Sequence, residues 1–246
     1  MTAALRGIFV TGTDTGVGKT LIAAALAAWY RQQGCDVGVM KPIATGGRWI
    51  RHRASRRLVS DDAIMLANAA GVDDPWSLIT PVCFREPLAP WTAAMRAHRS
   101  IDLHHLVRRF CALADRHPFT IVEGIGGLLV PLTSRLTVAD LAKRLGLPLV
   151  IVARRPLGTI NHTLLTLAAA RAHGLRVVGV VFNDAQRLPP DPLSRLAART
   201  NPAMIERFAK VPVLGTIPFQ PSPAPVTWVD RYLDWQRLPA WCLDHH

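Results

Sequence analysis

The chain has 246 residues, half of them hydrophobic and 19% charged, which suits one large α/β domain with a sizeable core and excludes a disordered chain. No apolar run approaches the ~20 residues that cross a bilayer, and the start of the chain leads almost directly into a strand, with no room for a signal peptide. The formal charge is +12, but five arginines fall between Arg48 and Arg57, which reads as a solvated basic loop near an anionic substrate rather than a nucleic-acid surface.

Leu5 to Val10 reads as the first strand, followed by Thr11-Gly-Thr-Asp-Thr-Gly-Val-Gly-Lys-Thr20 and then an Ala/Leu-rich helix from Leu21 to Gln33, which Gly34 would stop. Strand, glycine-bearing turn and helix start are the context of a phosphate-binding loop. Glycines let backbone N–H groups approach an anion, and the helix N-terminus adds partial positive charge. Lys19 would set an ammonium on the outer phosphates, and the Thr20 hydroxyl would ligate Mg²⁺. Five residues rather than four separate Gly12 from Gly18, so the loop departs from the usual Walker spacing.

Val37 to Met40 reads as a second strand that delivers Lys41-Pro42 at its C-terminal end, the ligand-binding end of a parallel sheet. The arginine-rich stretch follows as a loop, and a helix opens at Asp61-Asp62 with Ser60 or Asp61 as N-cap. Pro75 to Pro90 is a proline-punctuated connection. Asp102 to Arg116 shows helical apolar spacing at Leu103, Leu106, Val107, Phe110 and Leu113. Phe119 to Val122 is a buried-type strand ending in Glu123-Gly-Ile-Gly-Gly127, a carboxylate placed as a second arm towards Mg²⁺. A helix from Thr137 to Gly146, a strand from Leu149 to Ala153 and a helix from Leu157 to His173 come next. Strands over Val177 to Phe182 and Val213 to Ile217 end in Asn183-Asp184 and Pro218. This alternation predicts a doubly wound, mainly parallel sheet in a single P-loop NTPase-like (Rossmann-like) α/β domain over residues 1–219. Residues 220–246 form a Pro/Trp-rich tail, with Trp228, Trp235 and Trp241 available to dock it or to form an interface. Cys35, Cys83, Cys111 and Cys242 lack metal-type spacing, so reduced thiols and a cytoplasmic setting are expected.

Taken together, Val10 to Thr20, Lys41-Pro-Ile-Ala-Thr45, Asp62-Ala-Ile-Met-Leu66, Phe84-Arg-Glu-Pro-Leu-Ala-Pro90, Val122-Glu-Gly-Ile-Gly-Gly127, Leu157-Gly-Thr-Ile-Asn-His162, Val181-Phe-Asn-Asp184 and Leu214-Gly-Thr-Ile-Pro218 closely resemble the dethiobiotin synthetase family. The resemblance implies an ATP-dependent, Mg²⁺-dependent cyclo-ligase of biotin biosynthesis that joins CO₂ to 7,8-diaminononanoate. One amine becomes a carbamate, ATP phosphorylates it to a carbamic–phosphoric anhydride, and the second amine closes the ring of dethiobiotin.

By this resemblance Lys41, Lys19 and Thr15 would act at the reacting groups. Gly16, Val17, Gly18, Lys19, Thr20 and Leu21 would bind the nucleotide phosphates. Asp62, Glu123, Gly124 and Gly126 would join them, with Asn183, Asp184 and Pro218 at the base. Thr20, Asp62 and Glu123 would hold the metal. The adjacent carboxylates leave open whether Asp61 or Asp62 ligates, and the family register favours Asp62. Lys41 and Thr45 would meet the carbamate, and Gly158, Thr159 and Asn161 of a partner chain would receive the substrate carboxylate in a homodimer. Relatives often carry glutamate at Gly16 and serine at Thr45. Neither nucleic acid nor membrane is an expected partner. The competing reading is a regulatory ATPase switch of the MinD/ParA type, but its signature lysine would stand where this chain has Thr13. Cobyrinic-acid amidoligases share the ATP domain, but they continue into a glutaminase domain.

Overall fold

The computed structural model describes residues 6–52, 55–219 and 230–238. The glycine-bearing loop leaves β1 (Gly7–Gly12) and enters α1 (Lys19–Gln32). β2 (Val37–Met40), β7 (Phe119–Gly127), β8 (Leu149–Ala153), β9 (Val177–Asn183) and β10 (Val213–Ile217) join β1 in one sheet, in the order β10-β9-β8-β1-β7-β2. Every pairing in it is parallel. β1 is therefore central, and all six of its residues are buried.

Alternation along β1 shows why helices cover both faces. Ile8 and Val10 pack with Ile22, Leu26 and Tyr30 of α1. Phe9, between them, packs instead with Leu106 and Phe110 of α5 (Leu103–Ala114) and with Leu141 of α6 (Val138–Leu145). Successive side chains of a strand leave opposite faces, so an unbroken apolar strand needs two apolar layers. The doubly wound α/β expectation holds.

α2 (Asp61–Ala70) is capped by Ser60, whose Oγ accepts from the Ala63 N–H at 3.2 Å. α6 carries a capping box of Thr137 and Asp140, and α7 (Thr159–Ala172) starts at Gly158 with φ 93°. Three stretches differ from the sequence reading. The arginine-rich stretch is not a loop but an antiparallel hairpin of β4 (Arg48–His52) and β5 (Ser55–Val59). Trp49 stands opposite Leu58, and Ile50 packs against the Val59 cluster, which holds the hairpin to the body. The proline-punctuated connection contains α3 (Trp76–Ile79) and β6 (Val82–Cys83), with β6 pairing β3 (Ile43–Ala44), and ends where α4 (Pro90–Arg96) begins. A long α8 (Pro192–Ala209), to which the sequence reading assigns nothing, precedes β10.

The described part of the tail lies on the body. Asp234 N–H donates to the Leu214 carbonyl at 2.7 Å, and the Trp235 ring sits 6.4 Å from that of Trp29. Trp228, Trp241 and Cys242 fall outside the described residues.

Candidate active site

The site is built from the C-terminal ends of β1 and β2, the middle of β7, and the starts of α1 and α2. Gly16 and Gly18 hold φ of 71° and 95° in the phosphate loop, conformations that glycine adopts without strain. Buried Lys19, the first residue of α1, donates to the Asp14 carbonyl at 2.8 Å. Burial, and then the neighbouring Lys41 ammonium, lower its pKa from 10.5 to about 8.

Lys41 is delivered by β2 and is 3% exposed. Its Nζ lies 2.5 Å from Glu123 Oε1 and 2.9 Å from Asp62 Oδ2, and it donates to the Gly124 carbonyl at 3.3 Å. Burial alone would lower its pKa, but the two carboxylates overcome it and raise the pKa above the ordinary lysine value. Glu123, 1% exposed, is pushed upward by burial against the pull of Lys41. Asp62 is the more open carboxylate; its burial is outweighed by Lys41, and its pKa falls.

Thr20 Oγ1 donates to Glu123 Oε1 at 2.9 Å, and the same hydroxyl helps hold the Asp62 pKa down. One hydroxyl and two carboxylates therefore converge beside the phosphate loop. Glu123 Oε2 is buried with no hydrogen-bond partner among the described residues. An orphaned carboxylate oxygen within an all-oxygen donor set fits a hard divalent cation such as Mg²⁺. Asp61 faces away, with its Oδ1 2.8 Å from Arg48 Nε on the exposed side, so Asp62 is the carboxylate that enters the cluster.

Beyond the cluster, a cleft of about 340 Å³ opens between the ends of β1, β8 and β9, lined by Thr13, Arg154, Thr159, His162, Asn183 and Asp184. One Asn183 amide N–H donates to the Val17 carbonyl at 2.9 Å. Thr159 Oγ1 donates to the Arg154 carbonyl, which ties the start of α7 to β8. Thr15 and Asn161 are exposed, and Thr45 follows β3 directly; among the described residues the side chains paired with Lys41 are Glu123 and Asp62, not these three. Gly124 and Gly126 lie within β7, where a Cβ on Gly126 would meet Val130 Cγ2 at 2.7 Å. Val17 is fully buried, Leu21 packs at the edge of the α1 core, and Pro218 follows β10. The sequence reading passed over Asp14, Arg154 and Arg155. Arg154 lies 3.0 Å from Asp14 Oδ2, and Arg155 pairs with Asp184. The signal was present, because two consecutive arginines where an apolar parallel strand stops stand at the ligand end of the sheet.

A parallel sheet whose central strand runs into a glycine loop and Gly18-Lys19-Thr20, with two carboxylates from neighbouring elements, defines a P-loop nucleotide-binding protein. Residues 6–227 match a family described as an AAA domain. The ATP-dependent dethiobiotin synthetase BioD of Bacillus licheniformis is 46% identical over 217 residues, covering 87% of this chain and 86% of that one. The enzyme of the same name from Anaeromyxobacter dehalogenans is 45% identical over 218 residues, covering 89% and 92%. The chain belongs to the ATP-dependent dethiobiotin synthetase family.

Among solved structures, the MinC:MinD cell division protein complex of Aquifex aeolicus aligns with a TM-score of 0.51 at 15% identity, covering 88% of this chain and 82% of that one. A ParA family ATPase from Chlorobium tepidum aligns with a TM-score of 0.50 at 16% identity, covering 89% and 86%. At such identities the likeness shows the fold alone.

Proposed function

We propose that this chain carboxylates 7,8-diaminononanoate with CO₂ and closes the ring to dethiobiotin at the expense of ATP. The observation that carries the reading is Lys41, a charged lysine buried between Glu123 and Asp62 at the edge of the phosphate loop. In three steps, an amine nitrogen first bonds to CO₂ and loses a proton, giving a carbamate. A carbamate oxygen then bonds to the γ-phosphorus of ATP as the bond to ADP breaks. The second amine finally attacks the carbonyl carbon, loses a proton and expels phosphate.

Positioned cations are what such phosphoryl transfer requires. Lys19 would leave the Asp14 carbonyl for the outer phosphates, and Lys41 would stabilise the carbamate and the transferring group, with Thr45 and Thr15 beside them. Thr20, Asp62 and Glu123 would hold Mg²⁺, which when bound neutralises phosphate charge. Gly16, Gly18 and the start of α1 would supply backbone N–H groups. Asn183 would read the adenine edge, with Asp184 and Pro218 bordering the base.

A homodimer would complete the substrate site. Its support is the apolar face beside Thr13 to Thr15, where Leu129 and Leu165 reach solvent, together with the 89% exposed Leu157 in the adjoining cleft that shares Thr13 and His162. Asn161 is exposed on the first turn of α7 beside this face. There, with Gly158 and Thr159, it could receive the carboxylate of a diamine bound to the partner.

Incorporation of labelled bicarbonate into an acid-stable product, with ATP, Mg²⁺ and 7,8-diaminononanoate present, tests the proposal. Acid destroys a carbamate, so surviving label means ring closure. Folded, ATP-binding protein that leaves no such label would reject the assignment. ATP hydrolysis stimulated by DNA, lipid or a protein activator instead of the diamine would favour a switch.

A further inference from the structure

Asn183 ends β9 and Asp184 follows it, and both line the same cleft. Asn183 turns to the phosphate loop through the Val17 carbonyl. Asp184 turns to the loop after β8, where Arg155 takes its carboxylate with both arms. Nε donates to Oδ1 at 3.0 Å, and the terminal nitrogen donates to Oδ2. The Asp184 side chain is 2% exposed and that of Arg155 is 18% exposed. The arginine is fixed from behind, because its own carbonyl accepts from Asn201 Nδ2 of α8 at 2.9 Å. On the other side, Asp184 N–H donates to the Ile217 carbonyl at 2.9 Å. The Arg155–Asp184 pair thus sits where the loop after β8, the end of β9, α8 and β10 meet.

A fork-to-fork arginine–carboxylate pair uses both oxygens and cancels the charge. This matters because a carboxylate at a base site reads guanine. The N1–H and 2-amino group of guanine lie side by side and donate to the two oxygens of one acid. With Arg155 already there, these donors would be desolvated without an acceptor. Adenine presents neither donor. Rejection through unpaired buried polar groups is strong compared with rejection by size.

We propose that Arg155 is a specificity-determining positioning residue: by occupying Asp184 it sets the nucleotide site against guanine. The inference rests on the reading that the Asn183–Asp184 cleft takes the base. It concerns a residue that contacts neither phosphate nor reacting atoms in that reading.

The test is direct binding and turnover of ATP and of GTP by the full chain, in the parent, in Arg155→Ala, in Arg155→Lys and in Arg155→Ala with Asp184→Asn. The parent should prefer ATP by roughly 100-fold or more. Arg155→Ala should narrow that preference at least about 10-fold, with GTP gaining in absolute terms as Asp184 is freed. Arg155→Lys, which leaves part of the carboxylate open, should fall between the two. Adding Asp184→Asn should remove the gain for GTP. A purely structural arginine would weaken both nucleotides in parallel, and an unchanged ratio with ATP binding intact overturns the proposal alone. Parent protein that binds neither nucleotide overturns the base-site reading and this proposal with it. Should Arg155→Ala not fold, the shift in ratio for Arg155→Lys decides in the same way.

Discussion

At the scale of single residues, the site is a charge cluster that balances only when complete. Lys41 is the one cation between Glu123 and Asp62 in the described contacts of that pair. Lys41→Gln should therefore lower turnover by about 10²- to 10⁴-fold, in line with removal of a preorganised electrostatic group. Nucleotide affinity should stay within a few-fold, because Lys19 and the loop N–H groups remain. Single-turnover rates beside equilibrium nucleotide titration check both halves, and a near-normal rate would remove Lys41 from the mechanism.

Lys19 makes a prediction in pH. Its pKa of about 8 lies below the ordinary 10.5, so its charged form opposes folding at every pH below about 8, by up to ~3 kcal/mol. That penalty fades as pH rises from about 8 towards 10.5. Phosphates favour the charged form, so nucleotide binding near pH 8 should take up a proton and weaken above it. Calorimetry in two buffers of different ionisation enthalpy measures the uptake. No proton uptake at that pH would show that Lys19 does not meet the phosphates.

Much of this cluster was legible in the sequence because each member sits at a boundary. Lys41 stands where an apolar strand stops, Glu123 where the apolar run within β7 gives way to glycines, and Lys19 and Thr20 where a glycine loop enters a helix. What was not legible is pairing between distant segments. Nothing in the spacing joins Arg155 to Asp184, or Arg154 to Asp14, because those contacts exist only once β8 lies beside β1 and β9.

At the scale of elements, the junction between the phosphate loop and α1 depends on Gly18. It caps the helix at φ 95°, and a Cβ there would run into the Asn183 amide. Gly18→Ala combines a left-handed backbone with that collision. It should reduce stability by about 1–3 kcal/mol and nucleotide affinity by more than tenfold, as read by urea unfolding and titration of the same sample.

The hairpin makes a second test. Arg48 is tied to Asp61, and the Arg56 guanidinium lies 5.7 Å from the Trp49 ring centre, which leaves Arg51 and Arg57 exposed for phosphates. Serine at both should weaken nucleotide binding and flatten its salt dependence. Unchanged affinity and turnover would take the hairpin out of the site.

Elements with regular apolar spacing were readable, and α5 is the clear case. α8 was not, because its pattern is inverted. Its buried positions are Ala198, Asn201, Ile205 and Ala209, while Leu193, Leu196, Met204 and Phe208 face solvent, and Pro202 interrupts the helix. The hairpin was hidden for a related reason. Arginines on a two-stranded ribbon look like loop composition until Trp49 is seen opposite Leu58.

At the scale of the molecule, the chemistry occupies one end of the sheet and a fastening the other. His117, just before β7, places Nδ1 2.9 Å from Asp36, just before β2, and Nε2 2.8 Å from Asp74 in the loop after α2. Arg116 adds a contact at 2.6 Å to Asp74. His117→Ala would leave buried Asp74 with Arg116 as its remaining ion-pair partner among the described residues and should destabilise the fold by about 1–3 kcal/mol. Kinetic constants should be unchanged once the protein is folded, since the substitution lies at the far end of the strands. A changed kcat with normal stability would contradict this division.

The central place of β1 also bears on the order of synthesis. Its partners, β7 and β8, begin at Phe119 and Leu149, far along the chain from Gly12. At 5–20 residues per second a ribosome takes roughly 5–30 seconds to pass from Gly12 to the starts of these strands. Until β7 is made, the glycine loop has neither partner strand beside β1. β1 can have a strand on each side only after β8 has been made, since β7 and β8 are the strands that flank it.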